Sequence, residues 1–333
     1  MGSGAKEIAF IKDAIKNLEI DLDGLTVLTE IGSNYYFFLP FIAALAGARS
    51  VYAWTASNRY FDCDALVGKA RSLAEELSLE HKIGFAVNER PLAHIRNADI
   101  ITNSGFIRPL NEEFLEHCKE DVVIPLMFEA WELRGSDIDI HYCRKRKIRV
   151  GGTWESHPSI RVFESVGPLA IKLAFEAGLE VYQDKILVWS DDEFGKVSAD
   201  YFRNMNAGEV LLTTDKRVAL EYLEEADCIY FCPNHEKRTI ISNTDSDAIF
   251  TIDELKKANP FVTIVHLYGK FNLSELEENG LSVYPRQDGR AEYMSKTLTH
   301  IGMRPTLNLL CAGLKVGQLL YANENNDLKQ LIS

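Results

Sequence analysis

Short apolar runs rich in β-branched residues alternate with amphipathic segments along most of the chain. The runs that predict strands in the first half are 25–31, 50–55, 82–87, 99–102, 122–125 and 148–150. Helical patterns lie between them at 35–46, 62–79 and 111–118, and a further helix, capped by Ser136, ends in the basic run 144–147. Strands that alternate with helices are typical of βαβ units and a mostly parallel sheet.

A second series of the same kind follows. A helix is predicted over 158–177, where the chain crosses between two domains, and the tail after Asn323 is expected to be frayed. The later predicted strands are 185–190, 209–213, 228–232, 261–266 and 281–284. We therefore predict an α/β protein with two tandem Rossmann-like domains, mostly parallel sheets and a ligand cleft between the domains. The predicted domains are 1–157, joined by a C-terminal helix at 304–323, and 158–303.

Composition narrows the class of protein. The chain has 333 residues, with 36 Lys and Arg against 49 Asp and Glu, which gives a formal net charge of −13. Nucleic acid is an unexpected partner because phosphate binding uses clustered basic residues. A membrane span needs about 20 apolar residues in a row, and the sequence contains no such run. The scattered cysteines and the absence of a signal-peptide pattern lead us to expect a cytoplasmic protein with reduced thiols.

Three segments carry a resemblance to a known family: Ala98–Gly105, Leu110–Leu115 and the helix, strand and glycine pair within 137–153. Their order resembles the superfamily of D-2-hydroxyacid dehydrogenases, whose two-domain plan S-adenosylhomocysteine hydrolases share. In that family such a stretch closes the substrate domain, and a long helix leads into the cofactor domain. The resemblance implies that 1–157 binds substrate, that 158–303 binds NAD or NADP, and that the protein is a homodimer.

The cofactor fingerprint departs from that family. Dinucleotide sites use Gly-x-Gly-x-x-Gly, and here the corresponding turn begins with Ser190, has Asp192 at the second glycine and keeps only Gly195. A carboxylate about 4 Å from a phosphate costs on the order of 4 kcal/mol at an effective dielectric of 20. Asp215, 20 residues after Gly195, could bind ribose hydroxyls or simply cap the next helix. S-adenosylmethionine, which has no pyrophosphate, is the alternative cofactor; we assign His266 to the same site.

The catalytic set departs from the family as well. Tyr268 stands where the family has an arginine, the family's glutamate is absent from 283–288, and His300 matches the family's histidine. Arg286 is a candidate for holding a carboxylate or phosphate of the substrate. One catalytic residue of three is therefore carried over by the resemblance.

The densest polar cluster outside the helices is 151–158, at the predicted domain crossing. Glu155 and His157 are candidates for acid and base, with Trp154 as a substrate contact; the alternative is a hinge packed by Trp154. Glu129 and Asn103 follow two other parallel strands and are further candidates for binding substrate. Because these strands end at one edge of a sheet, we expect their loops to converge. No metal site is predicted, since the sequence has no His-x-x-x-His or Cys-x-x-Cys spacing.

These features predict an enzyme that acts on a small polar metabolite in the inter-domain cleft, with an NAD(P)-dependent oxidoreductase as the leading hypothesis. Two alternatives stay open: a non-redox enzyme on the same scaffold, such as an S-adenosylmethionine-dependent methyltransferase, and a non-catalytic binding protein.

Overall fold

The computed structural model describes residues 4–57 and 62–333, and its contacts divide the chain into two compact units. Unit 1 comprises Met1–Phe163 and Gly302–Ser333, and unit 2 comprises Glu164–Ile301. Which unit holds a cofactor and which a substrate stays a prediction.

The strands are β1 Thr26–Glu30, β2 Ser50–Thr55, β3 Ile83–Val87, β4 Ile100–Ile101, β5 Val123–Pro125, β6 Arg149–Thr153, β7 Lys185–Trp189, β8 Glu209–Thr213, β9 Cys228–Phe231, β10 Thr239–Ile241, β11 Thr263–His266, β12 Lys270–Phe271, β13 Ser282–Tyr284 and β14 Lys329–Leu331. The α-helices are α1 Ala5–Asn17, α2 Leu39–Leu45, α3 Cys63–Glu76, α4 Leu92–Asn97, α5 Glu112–Leu115, α6 Ile140–Arg146, α7 Val166–Glu176, α8 Glu193–Asn204, α9 Lys216–Leu223, α10 Ile252–Ala258, α11 Leu273–Glu278 and α12 Met303–Tyr321. Short 3-10 helices lie at Asn34–Phe38, Gly105–Ile107, Ala130–Glu132, Phe163–Ser165 and Leu298–His300.

Unit 1 is built on a sheet with the order β14-β6-β5-β4-β1-β2-β3, in which only β14 is antiparallel to its neighbour. Without β14 this is the order 3-2-1-4-5-6 that many dinucleotide-binding sheets use. Helices cover the sheet, and α12 packs against β5 and β6. The order of strands in the sheet changes direction between β1 and β4, because the chain moves one way along the sheet from β1 to β3 and the other way from β4 to β6. Ligands of open α/β sheets bind outside the carboxyl ends of the strands at such a switch point.

Unit 2 has a parallel sheet with the order β13-β11-β9-β7-β8 and a separate parallel pair, β10 and β12. Its strands β7 and β9 are apolar and buried almost throughout, because helices cover a parallel sheet on both faces. One cluster of buried side chains, including Trp189, Phe231 and Phe250, joins the sheet to the helices around it. The α/β class with mostly parallel sheets is therefore confirmed.

Three local expectations are wrong. The helix predicted from residue 158 begins only at Val166, because the carbonyl of Glu155 accepts the N–H groups of Val162 and Phe163 and holds that stretch as a turn. Asp139, not Ser136, caps α6, with its carboxylate accepting the N–H of Tyr142 at 2.8 Å. The tail is not frayed throughout, since β14 pairs with β6.

The exposed Gly68 in the middle of α3 gives a test of the helix assignment. A Cβ built there meets nothing within 4 Å. We expect Gly68→Ala to stabilise the protein by about 0.5–1 kcal/mol, because glycine loses more backbone entropy in a helix than alanine does. Gly167→Ala is the matched variant in α7, where the added Cβ would overlap the ring of Tyr201 and should destabilise. Urea denaturation followed by circular dichroism measures both; a loss of stability in Gly68→Ala would contradict the assignment.

Candidate functional site

Glu30 and Asn103 lie side by side where β1 and β4 end, at the switch point of the unit 1 sheet. The register pairs Leu28 with Ile101, so two residues further on Glu30 is opposite Asn103. The hydroxyls of Thr29 and Thr102, 2.9 Å apart, show that this register continues past the last paired residue. Register partners in neighbouring parallel strands direct their side chains to the same face. The side chains of Glu30 and Asn103 therefore lie on the same face of the sheet.

Glu30 is buried, with 6% of its surface exposed, and accepts a hydrogen bond of 2.9 Å from the N–H of Phe106. Burial raises the pKa of Glu30, although the Phe106 hydrogen bond and the charge of Arg108 oppose the rise. Gly105 makes this packing possible: its φ is +30°, and a Cβ there would overlap the Glu30 carboxyl. The chain thus packs tightly over a carboxyl whose raised pKa disfavours ionisation.

Arg108 holds the loop after β4 in place. Its guanidinium donates to the backbone carbonyl of Asn103 at 2.9 Å, pairs with Asp137 at 3.2 Å and lies 5.3 Å from the ring centre of Phe128. These contacts bring a positive charge close to Glu30. The same charge also acts on Glu132 in the loop after β5.

Glu129 ties together the loops after β5 and β6. One of its carboxylate oxygens accepts the N–H of Glu155 at 2.7 Å, and the other accepts the side-chain amide of Gln330 at 2.8 Å. The amide oxygen of Gln330 accepts the N–H of Ala130 at 2.8 Å. Gly152 of β6 pairs with Gln330 of β14, and a Cβ on Gly152 would approach the backbone of Ala130 too closely. The C-terminal strand β14 therefore builds part of the site.

Several carboxyl-bearing side chains and a phenol interact electrostatically here. Burial, and then the charges of Glu132 and Glu129, raise the pKa of Glu155 well above its ordinary value. Burial raises the pKa of Glu132 to about 7, with Glu129 adding to the rise. Burial and the charges of Glu30 and Glu155 raise the pKa of the Tyr36 hydroxyl. We call Glu30, Glu129, Glu132 and Glu155 the carboxyl cluster; the pKa values of Glu30, Glu132 and Glu155 are all raised.

Buried polar atoms without hydrogen-bond partners mark the same edge. In the described part of the chain, neither the oxygen nor the nitrogen of the Asn103 amide has a partner, and Asn103 has 0% of its surface exposed. The hydroxyls of Thr55 and Thr153, where β2 and β6 end, are likewise unpaired within that part. Buried polar groups are nearly always satisfied, so unpaired ones point to a role such as ligand binding. The predicted site residues Asn103, Glu129 and Glu155 thus come together.

Trp154 and His157 also follow β6, and their side chains contact each other. The two rings meet edge to face with centroids 5.3 Å apart. The imidazole of His157 is hydrogen-bonded to Ser159 at 2.7 Å and to Asp327 at 3.0 Å. These contacts support a structural role for His157 in holding the C-terminal segment; the acid–base role stays a prediction.

In unit 2, Asp192 occupies the N-terminus of α8, where a dinucleotide fingerprint would bind pyrophosphate. Its carboxylate accepts the N–H of Gly195 at 3.2 Å, the hydroxyl of Ser190 at 2.8 Å and the N–H of Asn234 at 3.0 Å. Gly195 is packed against Ser190, since a Cβ would lie 2.5 Å from the Ser190 Cβ. The carboxylate therefore already takes the backbone donors that a phosphate would need, and a pyrophosphate does not fit this turn as it stands.

Asp215 caps α9, accepting the N–H groups of Arg217 at 2.9 Å and Val218 at 3.2 Å. This is the capping alternative, and it leaves the other carboxylate oxygen outside the cap. His266 is fully buried, and its Nε2 donates to the carbonyl of Pro285 at 3.0 Å. Burial lowers the pKa of His266 to about 4, so the ring is neutral near pH 7. Its Nδ1 has no partner among the described residues.

His300 belongs to a polar cluster on unit 2. Its Nε2 donates to Glu176 at 2.7 Å, and the hydroxyl of Tyr284 donates to the same carboxylate oxygen at 2.6 Å. Although burial opposes it, these hydrogen bonds lower the pKa of Glu176. A histidine oriented by a carboxylate is an arrangement that general bases use. Arg286 lies apart, as its exposed side chain pairs with Glu277 at 2.7 Å.

Two classes of site find no support in the parts of the chain described, 4–57 and 62–333. No group of three or more His, Cys, Asp and Glu there is arranged to hold a metal ion. No helix in those parts is long and apolar enough to cross a membrane. All six cysteines are buried and free.

Sequence reasoning did not assign the side chains of Glu30, Arg108 or Gln330 to the site. One signal was available for Glu30, since an acidic residue ends an otherwise uncharged strand and must be accommodated where that strand meets its neighbours. Gln330 carried no such signal, because it lies in a polar tail more than 170 residues from its partners.

Comparison with known proteins supports the fold. No family model and no curated protein sequence matches the chain. A dipicolinate synthase chain from Bacillus halodurans is similar, with a TM-score of 0.54 at 10% identity over 90% of this chain and 99% of that one. Its counterpart in the dipicolinate synthase of Bacillus subtilis gives 0.54 at 13% identity over 92% and 100%. The pyruvate reductase of Chlamydomonas reinhardtii gives 0.53 at 10% identity over 92% and 99%. The chain therefore has the fold of these proteins.

Proposed function

We propose that this protein is an enzyme acting on a small polar metabolite, which binds at the carboxyl edge of the unit 1 sheet. The observation that carries the proposal is the fully buried amide of Asn103, which is unpaired within the described residues and lies on the same face of the sheet as Glu30. A buried amide with no partner costs about 1–3 kcal/mol of stability. Such a cost is typical of residues retained for function, since stability and activity compete at functional sites.

Glu155 is the proposed general acid or base. General acid–base catalysis works best when the pKa of the group lies near the working pH. Burial and neighbouring carboxyls move the pKa of Glu155 upward, and the pKa of Glu132 to about 7. Perturbed carboxyls of this kind cluster at active sites. Glu155 would move a proton to or from the substrate, while Glu129 orients the Glu155 backbone through its 2.7 Å hydrogen bond.

An NAD(P)-dependent oxidoreductase is the second candidate, favoured by the dehydrogenase-like scaffold and the likeness to a pyruvate reductase. The Asp192 turn disfavours pyrophosphate binding in unit 2, so we derive no reaction step through NAD(P). S-adenosylmethionine avoids that contact, and Asp215 keeps one carboxylate oxygen outside its helix cap. A homodimer remains part of the proposal.

The test begins with Asn103→Leu, which replaces the unpaired amide with an apolar side chain of similar size. We expect it to stabilise the protein by about 1–2 kcal/mol, because the desolvated amide is removed. The matched control is Asn259→Leu, which removes amide hydrogen bonds to the carbonyls of Leu223 and Ala226 and should destabilise.

A thermal-shift screen completes the test. The panel holds small amines, hydroxy acids, amino acids, NAD, NADP, S-adenosylmethionine and S-adenosylhomocysteine. We expect a small metabolite to stabilise the wild type and to lose that effect in Asn103→Leu. A ligand that stabilises both proteins equally, combined with a loss of stability in Asn103→Leu, would contradict the proposed site. A ligand that binds without turnover would instead support a non-catalytic binding protein.

A further inference from the structure

We infer that the metabolite held at the carboxyl edge of unit 1 carries a positively charged nitrogen, as in an amine or a guanidine. This inference rests on the proposed function, which places the substrate at that edge. It adds the chemical class of the substrate, whereas the fold neighbours include a pyruvate reductase, named for an anionic compound.

The site carries more acidic than basic groups. Within the carboxyl cluster, the charges of Glu129, Glu132 and Glu155 act on one another, and those of Glu30, Glu132 and Glu155 act on Tyr36. Arg108 and Arg134 act on Glu132, but the guanidinium of Arg108 is already paired with Asp137 and bonded to the Asn103 carbonyl. With all carboxyls ionised, the acidic groups outnumber these cations. Buried carboxylates without a counter-charge are costly, so a cationic ligand would stabilise the ionised cluster.

The amide of Asn103 points to the same kind of ligand independently of the charges. It is fully buried, unpaired in the described part of the chain and on the same face as Glu30. Its oxygen can accept a hydrogen bond from an N–H of the ligand, and its nitrogen can donate to a ligand acceptor. An ammonium or guanidinium carries several N–H donors and would satisfy the amide oxygen and a carboxylate together. A hydroxyl or carbonyl on the same ligand would satisfy the amide nitrogen.

The side chains at the site suit an organic cation better than a metal ion. Within the described residues, the acidic groups are not arranged to hold a metal. The unpaired atoms beside them belong to an amide and to the hydroxyls of Thr55 and Thr153, which suit a ligand with directional hydrogen bonds. The site therefore fits a polar organic cation.

Calorimetric titration with matched probes tests the inference. The probes are 1,4-diaminobutane and 4-guanidinobutylamine, with 1,4-butanediol as the neutral match and succinate as the anionic one. We expect the two cations to bind and the diol and succinate not to bind. Because the pKa values of Glu132 and Glu155 are raised, the cations should favour their ionised forms and release protons on binding, and their affinity should rise up to tenfold per pH unit for each proton released. The groups with raised pKa values are Glu30, Tyr36, Glu132 and Glu155, and the charges that act on them include those of Arg108, Glu129 and Arg134.

Variants locate the binding. Glu155→Gln and Glu132→Gln should each weaken cation binding about tenfold or more, and two variants guard against the failure of one to fold. Glu120→Gln, an exposed acid just before β5, should bind like the wild type. Equal binding by all three variants, preference for succinate or the diol, or no cation binding up to about 10 mM would overturn the inference. The proposed function would survive if a neutral or anionic metabolite bound to the wild type and not to Asn103→Leu.

Discussion

Replacing Glu155 with glutamine is expected to stabilise the protein relative to the wild type by an amount that grows as the pH rises. Between about pH 5 and about pH 7.5 the difference in free energy of unfolding should change by up to about 3 kcal/mol, because one proton is worth about 1.4 kcal/mol per pH unit. The effect requires only that Glu155 keep its proton in the folded protein over that range.

The sign follows from the two states of the carboxyl. In the folded protein, burial and the charges of Glu132 and Glu129 keep the pKa of Glu155 well above its ordinary value. In the unfolded chain a glutamate ionises near pH 4.3. Above that pH the wild type releases a proton on unfolding, so rising pH favours unfolding. Glutamine has no such proton, so the variant does not lose stability in this way as the pH rises.

The titration of His266 does not disturb this comparison. Burial lowers the pKa of His266 to about 4, so that histidine makes stability rise with pH up to about 6.5, in the opposite direction. His266 is present in both proteins and lies outside the carboxyl cluster, so its contribution cancels in the difference. Urea denaturation at several pH values provides the measurement, with Glu120→Gln as the control. Curves for Glu155→Gln and wild type that run parallel across the range would show that Glu155 is ionised in the folded protein.

The convergence of the site could be predicted from the sequence, because it depends on strand ends. Asn103, Glu129 and Glu155 each follow a strand of one parallel sheet, and such strands end at the same edge. What the sequence could not supply was the degree of burial. Whether a carboxyl at a strand end is solvated or enclosed depends on loops that cross over it, as Gly105 and Phe106 do over Glu30.

The contribution of Gln330 shows a second limit. Its strand has three residues and little apolar pattern, so no periodicity marks it. It pairs antiparallel with the glycines of β6, where a Cβ at Gly151 would lie 3.4 Å from the Gln330 carbonyl oxygen. The pairing is tertiary, between segments more than 170 residues apart, and local sequence carries no trace of it.

The turn at Asp192 shows the opposite case, in which the sequence identified the conflict and the structure supplies its cause. An acidic residue in place of a fingerprint glycine predicted repulsion of a phosphate. The structure adds that the Asp192 carboxylate accepts hydrogen bonds from Gly195, Ser190 and Asn234. It therefore substitutes for an anion at the helix N-terminus, where negative charge is favourable. Removing its charge should both loosen the turn and open it to a phosphate.

We accordingly expect Asp192→Asn to bind NAD at least about tenfold more tightly than the wild type, because the like-charge penalty of up to a few kcal/mol is removed. Asparagine keeps an oxygen that can cap α8 but loses one acceptor, so stability should fall by about 1–2 kcal/mol. Asp192→Gly removes the bulk as well as the charge and should bind NAD at least as tightly as Asp192→Asn. Calorimetric titration with NAD and with ADP-ribose measures the gain. Asp191→Asn, which neutralises the exposed neighbouring acid, is the matched control and should change the affinity far less. Tight NAD binding by the wild type that neither Asp192 variant improves would show that the dinucleotide does not pass this turn.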